Sequence, residues 1–94
     1  MMSITIIGGH DRMVRDYKEI CKEYKLKPRV FTQPSGNLCK KIGSPDILVL
    51  FTNTVCHKMV KVALEATSGT STTVIRCHNS TKRALEEILS QHIA

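Results

Sequence analysis

The chain has 94 residues, 41% hydrophobic and 23% charged, which gives one domain with a modest core and excludes a disordered polymer. Aromatic residues make up only 4% and Trp is absent, so the core must be aliphatic and no platform of stacking rings exists for single-stranded nucleic acid. A net charge of +6 points to anionic partners, and no apolar run approaches the ~20 residues of a membrane helix.

Residues 3–7, Ser-Ile-Thr-Ile-Ile, predict a short strand closed by Gly8 and Gly9, which permit positive φ. Asp11 is placed to cap the next segment. There Met13, Tyr17, Ile20, Cys21 and Tyr24 recur at spacings of three and four and predict a helix over 12–25. Pro28 is expected to stop that helix, and 29–32 reads as a second strand, short enough for a sheet edge. Between Gln33 and Pro45 one apolar turn (Leu38, Cys39, Ile42) predicts a short helix capped by Ser35, with Lys40 and Lys41 toward water. The run 47–52 predicts a strand buried on both faces. Thr52, Asn53 and Thr54 then offer caps for a helix over 55–66, whose stripe is Cys56, Met59, Val60, Ala63 and Leu64. A turn at 67–71 leads to a fourth strand, 72–77. Asn79 or Ser80 is expected to cap a last helix with the stripe Ala84, Leu85, Ile88 and Leu89.

Short loops and right-handed crossovers turn this order into one α/β domain over residues 1–94. It is a small Rossmann-like or flavodoxin-like three-layer domain with a four-stranded parallel sheet in the order 2-1-3-4. In a parallel sheet all strands end at one edge. His10 follows the first strand, His57 the third and His78 the fourth, so three of the four histidines are expected there. Arg12, Lys58, Arg76, Lys82 and Arg83 accompany them. Candidate contacts for a ligand at this edge are Gly8, Gly9, Arg12, Asn53, Thr54, Met59, Arg76 and Ser80, with His57, His10 and His78 as candidate metal ligands.

The chemistry these residues admit is broad. The Gly8 and Gly9 amides with helix N-termini suit a phosphate, although no dinucleotide or P-loop glycine pattern is present. A bare structural zinc is disfavoured, because in Cys56-His57 and Cys77-His78 adjacent side chains point apart. Haem needs an axial imidazole, an apolar slot and cations for its propionates. His57 with Met13, Met59, Val60 and the nearby Arg and Lys offers these, most easily in a slot shared by two copies. Cys56 or Cys77 is a candidate nucleophile, Cys56 in particular because it lies beside His57, set against its simpler reading as a small residue on the buried stripe. No pair of carboxylates is placed for acid–base work, and no residue set specifies a reaction.

Three blocks carry a family likeness: Gly8-Gly9-His10-Asp11-Arg12, the stretch from Phe51 to Met59, and Arg76-Cys77-His78-Asn79-Ser80. They resemble the bacterial family catalogued as domain of unknown function 2325, over nearly the whole chain. Some members are reported as haem proteins that bind dioxygen, so the resemblance implies haem at this edge and points to His10, His57 and His78. It does not choose the axial ligand; a helix holds an imidazole more rigidly than a turn, which favours His57. Cys56 and Cys77 stand where the family pattern suggests Ser, which leaves redox sensitivity open. The expectation is a small cytoplasmic haem protein, a homodimer or higher homo-oligomer, that binds or senses dioxygen or another diatomic gas. The alternative is a phosphate- or nucleotide-binding regulatory module without metal. Nucleic acid ranks last among partners, and an enzyme is less expected than a binding protein.

Overall fold

The computed structural model describes residues 2–33 and 36–93. In chain order it contains β1 (Ser3–Ile7), a single 3-10 turn (Asp11–Met13), α1 (Val14–Glu23), β2 (Lys27–Phe31) and α2 (Leu38–Ile42). β3 (Ile47–Phe51), α3 (His57–Thr67), β4 (Thr73–Cys77) and α4 (Lys82–His92) follow. The four strands are all parallel, in the order β2-β1-β3-β4, as the sequence predicts.

Alternation along the strands divides the core in two. Ile4 and Ile6 of β1 with Ile47, Val49 and Phe51 of β3 pack against Tyr17, Ile20 and Cys21 of α1 and Leu85, Ile88 and Leu89 of α4. Ile7, Leu48 and Leu50 face the other way, onto Leu38 and Ile42 of α2 and Met59 and Ala63 of α3. Every residue of β3 is buried, as a central strand covered on both faces requires. Among the described residues no helix is long and apolar enough to cross a membrane.

Several local expectations are corrected. α1, expected over 12–25 with Pro28 as its stop, lies two residues inside those bounds at each end. It ends at Glu23, where Lys25 takes φ 59°, the Lys25 amide donates to the Lys22 carbonyl, and the Leu26 amide reaches back to the Cys21 carbonyl. That is a Schellman closure with lysine in the place glycine usually takes. Pro28 lies inside β2, tolerated because this is an edge strand. Asp11 is not a cap; its carboxylate accepts a hydrogen bond from the Thr32 hydroxyl. α3 begins two residues later than predicted and has no side-chain cap, since Thr52–Thr54 form a turn. Cys39 and Cys56, both assigned to buried stripes, are exposed. α4 is capped by Thr81, whose hydroxyl oxygen accepts from the Ala84 amide, and not by Asn79 or Ser80. The expected cap Ser35 lies outside the described residues.

Candidate functional site

The C-terminal edge of the sheet is stitched by hydrogen bonds between loops. Gly8 N–H donates to the Phe31 carbonyl at 2.9 Å, tying the end of β1 to β2. Gly9 N–H donates to Thr54 Oγ1 at 2.7 Å, and that hydroxyl donates to the Phe51 carbonyl at 3.2 Å, so Thr54 clamps β1 to the turn after β3. Thr52 N–H donates to the Cys77 carbonyl at 2.9 Å and ties β3 to β4. Under this edge Tyr17 lies against Phe51, ring centroids 5.4 Å apart, and donates its hydroxyl to the Ser80 carbonyl at 2.5 Å. Burial pushes the Tyr17 phenol pKa up, against a smaller downward pull from the Ser80 bond. Gly9, at φ 85°, passes so close to Tyr17 that a Cβ there would lie 2.6 Å from the ring.

These bonds settle what the two glycines do. Their amides are already spent inside the protein, so a phosphate at this edge would have to be held by other donors. Glycine is needed for positive φ at both positions and for the close approach to Tyr17. Ser80 and Thr54 are likewise engaged in holding the loops.

Beside the clamp, at the point between β1 and β3 where the chain changes direction across the sheet, lies a depression of about 370 Å³. His10, Asp11, Thr32, Gln33, Thr54, Cys56 and Met59 line it with Gly9. Its lining is mostly polar; Met59, 2% exposed, is its one large apolar side chain. Thr32, Gln33 and Asp11 are additions to the predicted set, and topology alone could have found the first two, since they follow the C-terminal end of β2.

His10, His57 and His78 follow β1, β3 and β4, three neighbouring strands, so their strand ends span about 10 Å of one edge. All three are exposed, and none of the imidazoles has a hydrogen-bond partner among the described residues. His10 lines the depression, His57 is the first residue of α3, and His78 lies in the bend after β4. Arg12, Lys58 and Arg76 are exposed cations of the same end, and Asn53 is exposed in the turn after β3. Among the described residues no three or more His, Cys, Asp or Glu side chains are grouped to hold a metal ion. The histidines therefore share an edge without forming a cage.

Residues 3–92 match the family described as an uncharacterized protein conserved in bacteria, domain of unknown function 2325. The chain belongs to this family. No curated protein and no solved structure matches it. The family match covers all three histidine-bearing loops, and with them the whole edge just described.

Proposed function

We propose that this domain of unknown function 2325 protein binds haem at the C-terminal edge of its sheet, in a slot completed by a second copy, and binds or senses a diatomic gas there. The supporting observation is an edge with three exposed, unpartnered imidazoles and no cluster able to hold a bare ion. A bare metal needs three or four protein ligands converging on one point. Haem would bring nitrogen ligands of its own and ask the protein for only one or two imidazoles.

The residues present fit haem in two respects. The three imidazoles have no hydrogen-bond partner among the described residues, and Arg12, Lys58 and Arg76 are exposed cations of the same end that would receive propionates. Apolar walls are the part a single chain lacks, because Met59 alone is apolar in a polar depression. A second copy facing this edge would close the slot and exclude water from it. Haem, when bound, supplies an iron able to take a diatomic gas as ligand. The chain would supply an imidazole to the iron, and His57 is the preferred residue because α3 fixes its backbone against the sheet through Met59 and Ala63.

Titration of the purified chain with haemin tests this. A sharp Soret band that saturates, shifts on reduction and shifts again with CO is expected, together with a sedimentation coefficient above that of the monomer. Absence of the band at stoichiometric haem removes the reading. If haem binds, His57→Ala should abolish the band; its retention would transfer the ligand role to His10 or His78.

A further inference from the structure

The opposite, N-terminal end of the sheet carries a second depression, of about 280 Å³, whose wall includes Ser3, Thr5, Lys27, Arg29, Gly43 and Ser44. Ser3 is in register with Lys27 and Thr5 with Arg29, so on parallel strands these four share a face. Ile4 and Ile6 point into the α1–α4 core, which places the polar four on the side of α2. Where a doubly covered parallel sheet ordinarily carries aliphatic residues, this corner presents two hydroxyls and two cations.

Thr5 makes the corner a site. It is 1% exposed, yet its hydroxyl has no hydrogen-bond partner among the described residues. No buried side-chain oxygen or nitrogen among them is both sealed from solvent and unpartnered. The small exposure left to Thr5 is therefore at its hydroxyl oxygen, which opens into the depression its residue lines. A deeply placed hydroxyl in that position needs a partner from outside the chain.

The neighbours decide which kind. Ser3 is satisfied internally: its hydroxyl donates to Asp46 Oδ2 at 3.3 Å and accepts from the Asp46 amide at 3.1 Å. Arg29 donates from Nη1 to the Lys41 carbonyl at 2.9 Å, which anchors the guanidinium beside the end of α2. Neither Lys27 nor Arg29 pairs with a carboxylate among the described residues. Water alone would satisfy the hydroxyl, but Lys27 and Arg29 line the same depression without a carboxylate partner, the nearby Asp46 carboxylate being held by the Ser3 amide and hydroxyl, and the two cations favour an anion.

We propose that this depression binds a small phosphate, free or as a short monoester, held between Lys27 and Arg29 with the Thr5 hydroxyl donating to it from the floor. The space admits a phosphoryl group with a short stem. It lies at the end of the sheet away from the histidines, so it stands whether or not haem binds.

Amide NMR titration of the whole chain at low salt, with inorganic phosphate and separately with glycerol phosphate, tests the site. Saturating shifts are expected at Ser3, Thr5, Lys27, Arg29 and Ser44. Lys27→Met and Thr5→Val should each weaken binding about tenfold or more, as loss of a charge-assisted bond does, while Thr5→Ser retains it. Binding of both probes marks a site open to monoesters, and binding of inorganic phosphate alone marks one closed to the stem. The spectrum of each free variant reports its folding, so a Thr5→Val chain that failed to fold would leave Lys27→Met to decide. The proposal is overturned if shifts do not saturate, if they centre on the histidine edge, or if Lys18→Met, an equal loss of charge elsewhere, weakens binding as much.

Discussion

At the level of single residues, two backbone positions carry most of what is unusual. Gly9 combines φ 85° with an approach to Tyr17 that leaves no space for a Cβ. Gly9→Ala should cost about 2–4 kcal/mol, because strain and a clash with a buried ring add. A urea titration followed by circular dichroism would show it, and a loss near zero would mean that Tyr17 can move aside. Lys25 has the opposite balance: it holds φ 59° at the Schellman position with a side chain in water, so Lys25→Gly should stabilise by about 0.5–1 kcal/mol. Cys21 gives a pH dependence. Burial pushes its thiol from 9.0 up to about 12, so the folded state keeps a proton that the unfolded chain gives up. The cysteine's contribution should hold below pH 9 and then fall toward pH 12 by at most about 1.4 kcal/mol per pH unit, and the raised Tyr17 phenol adds a further loss in the same sense. Denaturant midpoints measured across that range, for the native chain and Cys21→Ala, would isolate the cysteine's share.

At the level of elements, the caps show where local sequence stops being decisive. Thr81→Ala should cost about 1 kcal/mol in thermal or urea unfolding, since its oxygen takes the Ala84 amide, whereas Ser80→Ala should cost far less. The stretch Asn79-Ser80-Thr81 offers three good caps, and the choice among them is tertiary: Tyr17 fixes the Ser80 carbonyl, and Thr81 is then in place. Thr54 was removed from capping α3 by the same kind of contact, the Gly9 amide. Hydrophobic runs behaved differently. The β3 run and the stripe of α4 depend on burial of many residues at once, so the strands, their order and the histidine edge were legible from sequence. Single polar residues with several possible partners are not, as Asp11 with its Thr32 partner shows, and small residues at the margin of an apolar stripe are not either, since Cys39 and Cys56 are exposed. The Lys27–Arg29 corner was invisible until the register of β1 on β2 set those cations beside Thr5.

For the molecule as a whole, charge is the property that reaches furthest. Fourteen Lys and Arg face eight Asp and Glu, and the two side-chain ion pairs among the described residues, Arg15–Glu19 and Arg83–Glu87, are exposed pairs one helical turn apart. Such pairs contribute little, so the excess cations mainly repel one another, and folding concentrates them. Sodium chloride should therefore raise the melting temperature as it screens that repulsion. A site for phosphate adds a second effect of different form. A ligand that binds only the folded state stabilises by RT ln(1 + [L]/Kd), which appears at concentrations too low for general salt effects. At constant ionic strength, exchanging chloride for millimolar phosphate should raise the melting temperature of the native chain. Lys27→Met should remove that increment and keep the response to sodium chloride, since it deletes one of fourteen cations but one of the two that define the corner. Equal phosphate increments in both proteins would reduce the effect to bulk charge and leave the Thr5 hydroxyl to water.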